Sequence, residues 1–324
     1  MRVLAPERRE LIEALVAETA PGGITAGLLE KDEHLTDALR ALFSLKPEGI
    51  QLVFCGGTSL SKAYGLIERM SEDADLKVVL PNADQAGQAS RAETRRRLTA
   101  LKTQVTETLA GIGLVEDPAK GLAFNENRYF CSEWSYARHY GSAAGLRPHL
   151  QIELTARTPV LPPQVCRITT LADQLAGRSD PAFEALVVAV AETVAEKILS
   201  FLRRYAQHRA GLMRQAWDTA LVRHLYDVHS ILQRQPGVLA DARRAFPALV
   251  ASDQKEFGVQ FPDFAAAPRQ VLGGALRQVR ADTKIQAEFT GNLLPLVYGG
   301  DTPAFEQAFG DFEKVAATLL DTLR

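Results

Sequence analysis

Apolar and polar residues alternate along the N-terminal half of the chain with two different periods. Residues 6–20 and about 25–45 place apolar side chains at helical spacing, and a Pro-Gly-Gly turn separates them, so the pattern predicts two helices. Short apolar, β-prone runs at 53–55 and 73–79 predict two strands. A helix is predicted between them, from about residue 58 to residue 70.

The rest of the chain separates into a strand-rich part and a helical part. The pattern predicts a charged helix at 89–109, followed by strands at 122–124, 129–134 and 150–154. Three prolines between 159 and 163 mark a linker, and from about residue 167 onward the pattern is almost wholly helical. The chain has 324 residues, more than a typical single domain. We therefore predict an α+β fold, with a mixed sheet and flanking helices in residues 1–165 and a mainly α-helical lobe in residues 166–324.

A glycine turn after the first strand is a candidate phosphate site. Gly56 and Gly57 allow a sharp turn that brings backbone N–H groups close to an anion. Thr58 and Ser59 supply hydroxyls at the start of the following helix, and Lys62 is close enough in sequence to reach the same ligand. The turn therefore predicts a place for the phosphates of a nucleotide.

Two carboxylates lie at the start of the second strand, and a third lies on a later strand. Asp73 and Asp75 project to the same side, roughly 6 to 7 Å apart at Cα, because side chains two apart on a strand share a face. Glu153 is an acidic residue on the otherwise apolar strand at 150–154. Two carboxylates that share a face beside a phosphate turn predict a site for Mg²⁺ that carries a nucleoside triphosphate. An ordinary turn, a solvated strand end and an edge-strand glutamate would show the same residues.

Composition limits the remaining functional classes. The formal net charge is −2, so no overall basic field indicates nucleic-acid binding. The predicted helix at 89–109 does carry a local basic run, which is either a solvated helix face or a contact for a polyanionic acceptor: Arg91, Arg95, Arg96, Arg97 and Lys102. Three cysteines without metal-ligand spacing indicate a reducing compartment, and no apolar run reaches membrane-spanning length. We therefore expect a cytoplasmic protein that makes no membrane contact.

The stretch GGTSLSKAYGLIERMSEDADL, residues 56–76, resembles the signature of the AbiEii/AbiGii-type nucleotidyltransferase toxins, a branch of the polymerase-β-like nucleotidyltransferases. The upstream segment LLEKDEHLTDALRAL resembles the helix that precedes this signature. Downstream, AEKILSFLRR and RHLYDVHSIL are similar to a lysine-bearing helix and an RDxYDL-like helix of the family. The resemblance implies a catalytic role for Lys197 near the triphosphate or acceptor, and for Asp227 as a base or orienting group. The chain departs from the family pattern at His224, where an acid is usual.

The resemblance implies a polymerase-β-like palm and Mg²⁺-dependent transfer of an NMP from an NTP to an acceptor hydroxyl, with two metal ions held by Asp73, Asp75 and Glu153. It further implies a toxin of a bacterial toxin–antitoxin (abortive infection) system that acts on the 3′ end of tRNA and has a cognate antitoxin protein. Two alternatives stay open: NMP transfer to a protein hydroxyl, and an NTP-binding interaction module without turnover. A P-loop is disfavoured because GGTSLSK lacks the G-x-x-x-x-G-K-[ST] frame.

Overall fold

The computed structural model describes residues 1–18, 24–81, 90–141, 146–213, 216–300 and 302–323. The chain forms two compact units. The first comprises Met1–Gly65, Arg69–Pro159 and Pro163–Val188, and the second comprises Leu66–Glu68, Val160–Pro162 and Ala189–Arg324. The first unit holds a mixed sheet and the second is helical, so the predicted α+β class is confirmed.

One sheet runs through the first unit. Its strands are β1 (Gln51–Cys55), β2 (Asp73–Val79), β3 (Val115–Glu116), β4 (Leu122–Phe124), β5 (Tyr129–Ser135), β6 (Leu150–Thr155), β7 (Gln164–Ile168) and β8 (Phe183–Val187). The strand order is β3-β5-β6-β2-β1-β8-β7, and β4 pairs with β5 outside this path. The pairs β2–β6 and β1–β8 are parallel and the other pairs are antiparallel. The strands predicted at 53–55, 73–79, 122–124, 129–134 and 150–154 are all present.

The helices of the first unit are α1 (Pro6–Glu18), α2 (Ala26–Ser44), α3 (Gly56–Lys62), α4 (Arg91–Gly111) and α5 (Leu171–Leu175). One face of the sheet buries its apolar residues against α2 and α4. Leu76 of β2 and Ile152 of β6 belong to this core, as do Leu39 of α2 and Leu101 of α4. Because strand side chains alternate, the residues between these apolar positions point to the opposite face, which we call the open face.

Two sequence predictions in this unit are wrong. The helix after the glycine turn ends at Lys62 rather than near residue 70, and Gly65 follows with a φ of 61°, a left-handed conformation that stops a helix. The chain after residue 167 is not wholly helical, because β7 and β8 complete the sheet. The first unit accordingly extends to Val188, whereas the sequence placed the domain boundary at residue 165. The apolar run that contains β8 merges with the next helix, and apolar periodicity alone does not separate a buried strand from a buried helix.

The second unit consists of helices. They are α6 (Val190–Arg209), α7 (Arg223–Arg234), α8 (Leu239–Phe257), α9 (Pro262–Ala266), α10 (Pro268–Arg280), α11 (Thr283–Glu288) and α12 (Phe305–Leu320). Short 3-10 or π-helical turns lie at 219–222, 236–238, 289–293 and 294–296. A cluster of buried aromatic rings, including Phe201, Tyr205 and Phe312, packs α6 against its neighbours. Among the described residues, no helix has the length and apolar character needed to cross a membrane.

Candidate active site

The three acids predicted from the sequence lie on the open face of the sheet. Asp73 and Asp75 flank the buried Ala74 on β2, and both are partly exposed. Asp75 pairs in register with Glu153 on the parallel strand β6. Neighbouring strands lie about 4.8 Å apart, so the backbone sets the Asp75 and Glu153 side chains next to each other. Strand pairing therefore brings the three acids to one region of one face.

The glycine turn lies directly against these acids. A Cβ atom on Gly56 would come 2.0 Å from Asp75 Oδ2, and the φ of 76° at Gly56 also disfavours a side chain. A Cβ on Gly57 would lie 2.8 Å from both Ser71 Oγ and an Arg69 guanidinium nitrogen. Gly56 is thus required both by its conformation and by close approach, whereas a side chain at Gly57 would have to displace Arg69 and Ser71. The turn and Asp75 form one compact corner of the first unit.

Thr58, Ser59 and Lys62 hold this corner together. Thr58 donates to Ser71 Oγ at 2.9 Å, and the buried Ser59 hydroxyl donates to the Gly56 carbonyl at 2.9 Å. Lys62, only 6% exposed, pairs with Asp32 at 2.6 Å and donates to a threonine hydroxyl of α2. The polar atoms predicted to contact phosphate therefore contact protein groups in this structure. Their predicted role in nucleotide binding stays a prediction.

Arg147 faces Asp73, a contact that the sequence analysis missed. Its Nη2 atom donates to Oδ1 and Oδ2 of Asp73 at 2.5 and 2.7 Å, and its Nη1 donates to Gln151 at 2.5 Å. Arg147 lies in the polar connection between β5 and β6. A single arginine in such a segment gives no sequence signal for an ion pair with a residue 74 positions away.

A buried ion pair between Lys31 and Glu72 holds the Arg147 backbone in place. Lys31 and Glu72 are each 1% exposed, and the Lys31 ammonium lies 2.5 Å from Glu72. Glu72 also accepts from the Arg147 backbone N–H at 2.8 Å, and Lys31 donates to the Arg147 carbonyl at 2.9 Å. Burial lowers the pKa of Lys31. Burial alone would raise the pKa of Glu72, but the charges of Lys31 and Arg147 outweigh it and lower that pKa. Glu72 is therefore an ionised carboxylate that fixes the Arg147 backbone.

Glu153 also has a neighbouring donor on the open face. The Tyr129 hydroxyl donates to Glu153 Oε2 at 3.1 Å. Burial, reinforced by the Glu153 charge, raises the pKa of Tyr129, so the phenol stays protonated as a donor. Cys131 is the register partner of Glu153 on β5, and burial raises the pKa of its thiol to about 12. All three cysteines of the chain are free thiols.

The residue types of this face fit a divalent cation, although the side chains are not gathered around one point. Within the described ranges, no three His, Cys, Asp or Glu side chains converge as they would around a metal ion. Asp73 instead faces Arg147. Carboxylate oxygens are nevertheless the donors that Mg²⁺ prefers, and the register of β2 and β6 supplies three of them on one face. Metal binding would require Asp73 to exchange its arginine partner.

Lys197 and Asp227 lie in the second unit, where they contact each other. The Lys197 ammonium lies 2.7 Å from Asp227 Oδ2, on α6 and α7 respectively. Asp227 is fully buried and Lys197 is 6% exposed. His224, the residue that departs from the family pattern, has Nδ1 3.2 Å from the Lys197 carbonyl. The structure thus brings Lys197 and Asp227 together as a buried ion pair, and their catalytic role stays a prediction.

Comparison with known proteins identifies the family. The family model of the nucleotidyl transferase AbiEii toxin, a Type IV toxin–antitoxin system, matches residues 37–311. MenT4, a nucleotidyltransferase toxin from Mycobacterium tuberculosis H37Rv, has a similar solved structure, with a TM-score of 0.58 and 19% identity over 98% of this chain and 90% of that chain. At that identity the likeness concerns the fold alone, and none of the curated proteins compared with the chain matches it. Because the family match covers most of its length, the chain belongs to the AbiEii family and is a nucleotidyltransferase toxin of a Type IV toxin–antitoxin system.

Proposed function

We propose that this nucleotidyltransferase moves a nucleoside monophosphate from an NTP to the 3′-terminal hydroxyl of a tRNA and releases pyrophosphate. The row of carboxylates on the open face carries the proposal: Asp73 and Asp75 share one face of β2, and Asp75 pairs in register with Glu153. The Gly56 turn lies against Asp75. Acids beside a turn that exposes backbone to an anion suit a cation-bound triphosphate.

Asp73, Asp75 and Glu153 are the proposed ligands of up to two Mg²⁺ ions. When bound, Mg²⁺ neutralises phosphate charge and lowers the pKa of the acceptor hydroxyl. The chain itself orients the acids, because strand pairing fixes the backbone of Asp75 and Glu153 and the Tyr129 hydroxyl holds one Glu153 oxygen. Arg147 keeps a positive charge next to Asp73, where it would also attract the phosphates of the nucleotide.

The turn residues are the proposed phosphate contacts. Backbone N–H groups of Gly56 and Gly57 would face the triphosphate, while Thr58, Ser59 and Lys62 hold the turn in place through the contacts described above. Lys197 and Asp227 would assist the transfer in the way that the family resemblance implies. Positioning and charge neutralisation account for most of the rate acceleration in this type of chemistry.

The family supports the proposed acceptor and cellular setting. A toxin of a Type IV system implies an antitoxin partner and an NTP substrate. The choice of tRNA as acceptor rests on the resemblance of residues 56–76 to the signature of the toxin family. A protein hydroxyl is the second candidate acceptor. We place the reaction in the cytoplasm, where both NTPs and tRNA occur and where three free thiols would stay reduced.

The decisive experiment separates the acceptors. The purified protein is incubated with each labelled NTP in turn, with tRNA or with lysate protein, and with or without Mg²⁺. Transfer of label to tRNA that requires Mg²⁺ is expected, whereas label in the protein fraction alone would identify a protein acceptor. Asp75→Asn should reduce transfer by roughly 10²–10³-fold or more, the scale for loss of one transition-state contact. Glu184→Gln, which alters an exposed carboxylate on β8 of the same sheet, is the matched control and should transfer normally.

A further inference from the structure

A basic and aromatic surface extends from the open face to the start of α4. It consists of the exposed residues Arg91, Arg95, Arg96, Phe124 and Arg128, and we call it the hairpin surface. The tip of the β4–β5 hairpin is fastened to α4 by two contacts. Arg91 donates to Glu126 at 2.8 Å, and Asn127 donates to Thr99 at 3.0 Å. The arginines of α4 and the end of the hairpin therefore form one continuous surface within the first unit.

This surface is positively charged although the whole chain is slightly acidic. Glu126 pairs with Arg91, and Glu93 pairs with Arg96 on the same helix. Arg95 and Arg128 form no ion pair with any residue in the described part of the chain. The hydrogen bond from Arg91 lowers the pKa of Glu126, and the charges of Arg95 and Arg128 lower it further. The basic run singled out from the sequence is thus not fully neutralised by neighbouring acids. Unpaired guanidinium groups on an exposed surface are suited to phosphate.

An aromatic pair connects this surface with a proposed catalytic acid. The Phe124 ring is 52% exposed and stacks on Tyr129, with ring centroids 5.9 Å apart and an interplanar angle of 22°. The Tyr129 hydroxyl in turn donates to Glu153 at 3.1 Å. A large exposed ring beside arginines is the combination that single-stranded nucleic acid recognises, because bases stack on the ring while phosphates contact the cations. Phe124 is thus connected through Tyr129 to Glu153, the acid next to which the acceptor hydroxyl would react.

We propose that the hairpin surface binds the single-stranded 3′ end of the RNA acceptor, with a base stacked on Phe124 and phosphates against Arg95 and Arg128. The proposal rests on the function proposed above and adds the surface that guides the acceptor strand to Glu153. Charge favours RNA as the occupant, since Arg95 and Arg128 present charge without a paired acid. An antitoxin protein on the same surface is the competing outcome of the test.

The test measures RNA affinity by fluorescence anisotropy with labelled tRNA and with a short single-stranded RNA of the same 3′ sequence. The double variant Arg95→Gln/Arg128→Gln loses two phosphate contacts. The plot of log affinity against log salt concentration for the single strand should therefore become shallower, its negative slope decreasing in magnitude by roughly 1.4. Phe124→Leu should weaken binding by about 5-fold to 100-fold, and Phe124→Tyr, which keeps a ring, should restore it. Arg243→Gln/Arg277→Gln, which removes two exposed arginines of the second unit, is the matched control and should leave the slope unchanged.

The outcomes separate this proposal from the proposed function. Weaker RNA binding in the hairpin variants with unchanged binding of a fluorescent ATP analogue supports the proposal. If the wild-type protein binds and labels tRNA but the hairpin variants bind it equally well, the surface assignment is overturned while the function stands. The assignment is also overturned if the variants lose only antitoxin binding. If the wild-type protein labels protein and binds no RNA, the acceptor in the proposed function is wrong.

Discussion

His34 makes the first unit sensitive to acid. It lies on α2, is 1% exposed, and packs against Tyr136 with ring centroids 4.2 Å apart and an interplanar angle of 32°. Neither of its ring nitrogens has a hydrogen-bond partner in the ranges that the structure describes. Burial, assisted by the charge of Arg2, lowers the pKa of His34 from 6.5 to about 4. We predict that this histidine destabilises the folded chain as the pH falls.

The size and sign of the effect follow from the two pKa values. Below pH 6.5 the unfolded chain binds a proton at His34, while the folded chain does not bind it until the pH approaches 4. The free energy of unfolding therefore decreases as the pH falls through this window. Because one pKa unit corresponds to about 1.4 kcal/mol, the loss should reach about 2.5 kcal/mol near pH 4.5. The free energy of unfolding of a typical domain is about 5–15 kcal/mol, so the predicted loss is a large fraction of the total stability.

The assay compares the wild-type protein with His34→Phe, which keeps a ring against Tyr136 but cannot bind a proton. Urea unfolding is followed at pH 7 and pH 4.5 in a Trp217→Phe background. Trp134, which is fully buried in the first unit, is then the sole tryptophan. Between the two pH values the variant should lose about 2.5 kcal/mol less than the protein with His34. Equal losses in the two proteins would refute the reasoning, whatever their stabilities at pH 7.

Three further predictions concern the site and its supports. Gly56→Ala should abolish nucleotide transfer, because the new Cβ would lie 2.0 Å from a carboxylate oxygen of Asp75. Gly65→Ala is the control, since Gly65 also has a positive φ but has open space around it. This control should keep its activity and lower the free energy of unfolding in urea by only about 1 kcal/mol. Glu72→Gln should lower the free energy of unfolding by about 3–5 kcal/mol, since it leaves the Lys31 ammonium buried without its countercharge, and thermal unfolding should show the drop. Asp227→Asn should destabilise the second unit by a similar amount. Replacing this aspartate and its lysine partner with apolar residues should restore much of that stability. Nucleotide transfer should recover together with the stability only if the Lys197–Asp227 pair has a purely structural role.

Local patterns predicted the part of the site that is built within single strands. Asp73 and Asp75 could be placed together because alternation along a strand is a property of the strand itself. Glu153 could be assigned because a carboxylate is unusual on an apolar strand, although the register that sets it opposite Asp75 became known only from the structure. The acids and the glycine turn were therefore predictable from the sequence.

Contacts between distant segments were not predictable in this way. Arg147 binds an acid 74 positions away, and Lys31 pairs with Glu72 across 41 positions. No periodic signal connects such residues, because their meeting depends on how the sheet and helices pack. Lys62 illustrates the same limit, because its ion pair with Asp32 on α2 could not be predicted from its sequence neighbours. Its role in phosphate binding stays a prediction.

The ion pair between Arg147 and Asp73 has a consequence for how the enzyme would respond to its surroundings. A cation that recruits this aspartate has to compete with a guanidinium that is already docked on both carboxylate oxygens. Trace amounts of a divalent ion would lose that competition, and a nucleotide that delivers the ion together with a triphosphate for the displaced arginine would win it. The pair would thus act as an internal counterion that makes ion and nucleotide bind cooperatively.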